Sequence, residues 1–153
     1  INEDINSSAA IDGSKLTGAG KVLQVVSDTN DNAITTTSNT NVLIASVTIT
    51  VSGGSTVVLE GTVPHYSEEP NSWNSTFGLF LYDSSAVIQA TEHYGQYSVA
   101  NGAMQGAILH VTGVKTAGTY TYYMYSKSTT GTAIHYYNRA PRKSVLIATE
   151  IGA

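Results

Sequence analysis

The alternation of apolar and polar residues predicts a chain built from short strands. In Val42–Val51, residues Leu43, Ala45, Val47, Ile49 and Val51 fall on one face and Ser46, Thr48 and Thr50 on the other. This is the period-two pattern of a half-buried strand. Ser52-Gly53-Gly54-Ser55 follows as a hairpin turn, and Thr56–Val63 returns with Val57, Leu59 and Val63 on one face. Lys21–Ser27, Thr76–Tyr82 and Lys143–Ile151 are apolar on both faces, and Val87–Tyr94, Met104–Val114 and Thr132–Asn138 also read as strands. Residues 33–37 form a weaker candidate. Polar connections are expected at Pro64 to about Ser75 and at Gln96–Ala103.

The densest signal is Gly118-Thr119-Tyr120-Thr121-Tyr122-Tyr123-Met124-Tyr125-Ser126-Lys127. Alternation sends Tyr120, Tyr122 and Met124 one way and Tyr123 and Tyr125 the other. A single-layer surface strand carries one apolar and one polar face. Two aromatic faces require two lined environments: the domain core, and either a second copy of the chain or a ligand.

Eight to ten such strands without a convincing helix predict an all-β fold, a β-sandwich of the jelly-roll kind over residues 21–153. The two-sided strands suggest one sheet covered on both faces. The amphipathic segment 42–63 suggests a second, solvent-facing sheet. Residues 1–20 differ: isolated Ile5, Ile11 and Leu16 stand among small polar residues with no sustained period. Such a segment is expected to be a linker, or a thin stalk that closes only against other chains.

Composition narrows the picture. At 153 residues the chain is one domain's worth, and its charged content of 12% is about half the roughly 25% usual for soluble domains. Less surface then has to stay wet, which favours an oligomer. A net charge of −4 without a basic cluster argues against nucleic acid as a partner. No apolar run approaches the roughly 20 residues of a membrane span, so membrane insertion is not expected. The start at Ile1 reads as a fragment of a longer polypeptide. The absence of cysteine points to assembly in a reducing cytoplasm, with stability from packing.

The chain resembles the C-terminal domains of bacteriophage tail fibres, of the trimeric jelly-roll type found in tumour-necrosis-factor-like and complement-C1q-like proteins. Asp4-Ile5-Asn6-Ser7-Ser8-Ala9-Ala10-Ile11 with Ser14-Lys15-Leu16 looks like a fibre stalk repeat. Gly20-Lys21-Val22-Leu23-Gln24-Val25-Val26 looks like the opening strand of the head. Gly118-Thr119-Tyr120-Thr121-Tyr122 is similar to the strand lining the threefold axis, and Tyr137-Asn138-Arg139 with Ser144–Ile151 to the closing strand. The stretch 64–103 matches nothing in the family. The resemblance implies a homotrimeric fibre tip on the virion, joined to the rest of the fibre. It would bind a host glycan, such as capsule or lipopolysaccharide, or an outer-membrane receptor. Two alternatives remain: a trimerising structural knob that binds nothing, and a fragment of a polysaccharide-degrading tailspike.

Candidate receptor-binding residues fall in two clusters. His65, Tyr66, Trp73 and Asn74 lie in a segment holding the chain's single Trp and two of its three prolines. An aromatic ring can stack on a sugar's C–H face beside polar groups that bond its hydroxyls, and prolines lower the ordering cost of binding. Alternatively, Trp73 and Tyr66 pin the loop to the sandwich or to a neighbouring subunit. Glu92, His93, Tyr94 and Tyr97 form the second cluster, whose alternative is a solvated strand end with core tyrosines. Six of ten tyrosines fall in residues 120–137. Tyr120, Tyr122, Tyr123 and Tyr125 are assigned to the trimer interface, where Tyr buries area at low entropy cost.

No catalytic residue is assigned. A Gly-x-Ser-x-Gly elbow is absent, and Glu68, Glu69, Glu92 and Asp83 show no pairing suited to glycoside hydrolysis. Neither cofactor nor metal is expected. In Asp28-Thr29-Asn30-Asp31-Asn32, Ala33 replaces the glycine a calcium loop requires and Asn39 its bidentate Glu. The four histidines lack zinc spacing.

Overall fold

The computed structural model describes residues 20–37, 39–68, 74–85, 88–97, 102–130, 134–138 and 141–152. For residues 67–68, 74–76, 88–97, 102–104, 129–130 and 135 it describes the backbone alone. The expected stalk therefore lies outside the described residues, apart from Gly20.

Ten strands follow in order: β1 (Lys21–Asn30), β2 (Ile34–Thr36), β3 (Val42–Val51), β4 (Thr56–Glu68), β5 (Asn74–Asp83), β6 (Ile88–Tyr97), β7 (Gly102–Val111), β8 (Gly118–Thr130), β9 (Ile134–Tyr137) and β10 (Ser144–Gly152). Among the described residues there is no helix. One sheet runs β1-β10-β4-β9-β2 with β7 on the other edge of β4, and the second runs β3-β8-β5-β6. Every described pairing is antiparallel. The pairs β1·β10, β3·β8, β4·β7 and β5·β6 are nested, first strand with last and inward from there. The all-β expectation holds, as a sandwich of two antiparallel sheets.

The core lies between the sheets. Val57, Leu59, Val63, Ile108, Leu146 and Ala148 of the larger sheet meet Ile44, Val47, Ile49, Val51, Phe77, Leu79, Leu81, Tyr122 and Met124 of the smaller one. Each large aliphatic or Phe side chain so buried is worth roughly 1.5–3 kcal/mol. Gly61 leaves no room for a side chain in this core: a Cβ there would stand 2.5 Å from Met124 Sδ and 2.9 Å from Ile108 Cγ2.

The connection expected as a hairpin is a corner. Gly53 and Gly54 adopt positive φ, 98° and 73°, as a tight turn requires. However, β3 and β4 do not pair with each other; they belong to opposite sheets. Consequently the two-sided strands are divided, with β1 and β10 in one sheet and β5 and β8 in the other. Alternation reports which faces a strand covers, not which strand lies beside it.

On β3 the expected alternation breaks. A bulge between Leu43 and Ala45 turns Leu43 outward, 46% exposed, and buries Ile44. One extra residue inverts the alternation on one side of the bulge. The polar connection expected from Pro64 is shorter than anticipated: β4 continues through Glu68, paired with both β7 and β9. At the turn after β9, Asn138 adopts φ 57°, a left-handed conformation that Asn tolerates. Its Nδ2 donates to Asn32 O at 3.2 Å, and Ser144 Oγ donates to its Oδ1 at 2.5 Å.

Candidate functional site: two unlike sheet faces

The outer face of the larger sheet is largely aliphatic. Register places Val25, Thr149, Val58 and Val111 in one row across β1, β10, β4 and β7. The next row is Ser27, Ile147, Glu60 and Leu109, and the third Thr29, Val145, Thr62 and Ala107. Val22, Val25, Leu109 and Val111 are 54–61% exposed. Glu60 is the one charged side chain in these three rows.

The outer face of the smaller sheet is aromatic and hydroxyl-rich. Tyr82 and Tyr125 meet edge to face at 5.3 Å, with Tyr123 6.1 Å from Tyr125. Asn41 Nδ2 donates to Tyr82 Oη at 2.9 Å. Lys127 Nζ stands over the Phe80 ring, 4.8 Å from its centre. Beside them, Thr48 and Thr50 bond Thr121 and Thr119 through their hydroxyls, both at 2.9 Å.

Of the residues assigned to a trimer seam, Tyr122 is corrected by its position. It is fully buried in the core of its own chain, next to Met124, because β8 has its own second sheet to pack against. Burial, with help from Asp83 and Tyr120, pushes its phenol up to about 12. Tyr120 is half-buried at the sandwich end, its hydroxyl 3.0 Å from Thr116 O and its ring under Lys115 Nζ at 5.1 Å. Tyr123 and Tyr125 do point outward and are half-buried.

The receptor-binding candidates scatter. His65 is 2% exposed, stacked 3.9 Å from Phe77 and 5.3 Å from Tyr137; it fills the core rather than presenting itself on a loop. The alternation Val57, Leu59, Gly61, Val63 continues through it. Tyr66 is half-buried, its ring 5.8 Å from Tyr136. Trp73 lies outside the described residues. Asn74 opens β5 opposite Tyr97, while Glu92, His93 and Tyr94 lie on β6 opposite Leu79, Gly78 and Phe77; for these only the backbone is described. The two expected clusters thus lie on adjoining strands in part, through Asn74 and Tyr97.

Sequence reasoning missed Glu150. Its signal was an acid at an inward position after Leu146 and Ala148. The carboxylate accepts from Gln24 Nε2 at 2.6 Å, Ser55 Oγ at 2.6 Å, and Ser52 N and Oγ at 3.1 Å. The Gln24 bond first, then those of Ser55 and Ser52, hold its acidity at about 2 against the opposing effect of burial. This clamp ties β1 and β10 to the β3–β4 corner. Among the described residues no group of three acidic, His or Cys side chains could hold a metal ion.

No protein-family model matches the chain, and no curated protein is similar to it.

Proposed function

We propose that the chain is the homotrimeric tip domain of a bacteriophage tail fibre, a jelly-roll head that binds a bacterial surface receptor of polysaccharide type. The nested pairing of four strand pairs supports the jelly-roll reading, since it arises when one long hairpin wraps into two sheets. The observation carrying the assembly is the aliphatic outer face of β1, β10, β4 and β7. Four exposed Val and Leu residues on one sheet face are an association surface rather than a solvent surface. This face replaces the tyrosine strand as the trimer seam, because Tyr122 is already used inside the subunit. The number three and the receptor role rest on the resemblance of the sequence to fibre heads.

Light scattering after gel filtration tests the assembly. The expected mass is that of three chains, and Leu109→Asp should give a folded monomer. A stable wild-type monomer at micromolar concentration refutes the trimer. Labelled domain applied to bacterial strains with and without surface polysaccharide tests the function. Adsorption is expected only where the polysaccharide is present. Failure on every strain favours the non-binding structural knob.

A further inference from the structure

We infer that the outer face of β5 and β8 is the glycan-binding surface and that it takes a carboxylated polysaccharide segment. The inference rests on the receptor reading above and names its site. The Tyr125 ring lies against those of both Tyr82 and Tyr123, and all three are half-exposed. Rings so placed offer an apolar face to sugar C–H groups and a hydroxyl to sugar O–H groups. The edge-to-face setting of Tyr82 on Tyr125, at 85°, makes a corner rather than a flat plate. The Asn41 amide fixes the Tyr82 hydroxyl at that corner.

A second copy of the chain suits this face less well. Packing protein onto phenol, amide and ammonium groups would strip their water without assured partners, whereas sugar hydroxyls supply partners. The charge selects the ligand further. Lys127 is the one charged side chain described on this face, on a chain whose net charge is −4. Its ammonium sits above Phe80, positioned by the ring quadrupole. A compact cation beside three rings complements a sugar carboxylate.

Affinity electrophoresis of the intact domain through polygalacturonate, alginate, hyaluronate or neutral dextran tests this. At least one uronate polymer should retard the domain and dextran should not. Tyr125→Ala should weaken the retardation roughly tenfold, and Lys127→Gln should weaken it and remove its salt dependence. Tyr125→Phe, which keeps the ring, should retain most binding. Light scattering should show unchanged mass for every variant. The inference is overturned if no uronate polymer retards the domain, if both variants run as wild type, or if Tyr125→Ala dissociates the assembly, which would make the face a subunit contact. Adsorption to bacteria that survives Tyr125→Ala and Lys127→Gln sinks this site while leaving the fibre-tip function standing. Absence of adsorption to any strain sinks that function itself.

Discussion

Removing the Tyr122 hydroxyl should leave the sandwich as stable as before or more so, while the same change at Tyr137 should weaken it. Both rings are fully buried, and both phenols are pushed up to about 12, chiefly by burial. Their hydroxyls differ. Ser126 Oγ donates to Tyr137 Oη at 2.8 Å and is 3.1 Å from the Gly78 carbonyl. Among the described residues, Tyr122 Oη is buried without a hydrogen-bond partner. Tyr137→Phe therefore loses one ordinary hydrogen bond, about 0.5–1.5 kcal/mol, and leaves Ser126 with Gly78 as acceptor. Tyr122→Phe removes an unpartnered polar atom whose burial costs roughly 1–3 kcal/mol, offset by the contacts of one lost oxygen. The expected gain is between zero and about 1 kcal/mol. The two variants should then differ by about 0.5–2.5 kcal/mol, at roughly 2–4 °C of Tm per kcal/mol for a chain of this length. Urea unfolding at pH 7 and one fixed protein concentration measures this, the concentration being held because assembly adds to apparent stability. If Tyr122→Phe costs as much as Tyr137→Phe, the Tyr122 hydroxyl has a partner and the reasoning fails.

Glu150→Gln should destabilise at neutral pH, and its deficit against wild type should shrink on acidification. The folded carboxylate has its pKa depressed from the ordinary 4.5 to about 2. Its contribution is thus complete above about pH 4.5 and lost as pH falls through 2. A deficit independent of pH in thermal melts would mean that shape, not charge, holds the corner. On alkaline titration followed by tyrosine absorbance, Tyr122 and Tyr137 should ionise last, near 12. Their folded values lie above the ordinary 10.0 of a phenol, so this stability is complete below pH 10 and lost as pH rises towards 12. Ionisation of all ten tyrosines together, without unfolding, would contradict their burial. Gly61→Ala should cost roughly 1–3 kcal/mol in urea unfolding by overpacking against Met124 and Ile108. A neutral result would show that the layers can part at this point.

The faces of the strands were legible, and their neighbours were not. Alternation placed Tyr122 and Met124 opposite Tyr123 and Tyr125 on β8, and the structure agrees. Alternation also placed Val57, Leu59 and Val63 on one face of β4. It could not say that β3 and β4 lie in different sheets, because a Gly-Gly turn closes a hairpin and turns a corner with the same residues. Nor could it find the bulge after Leu43, since an extra residue leaves composition unchanged while exchanging the faces. Pro64 marks a break in the pattern that puts His65 in a loop, yet β4 runs on through both, supported on two sides by β7 and β9.

By itself the sequence determined an all-β chain, its turns, and the two-sided character of the tyrosine strand, because side-chain direction along a strand is a local property with a period of two. Tertiary structure alone decided the nested pairing, the burial of Tyr122 and His65, and the convergence of Gln24, Ser52 and Ser55 on Glu150. It alone separated an aliphatic face from an aromatic one. Each of these depends on residues far apart in the chain, and no local pattern encodes which distant strand comes to lie alongside.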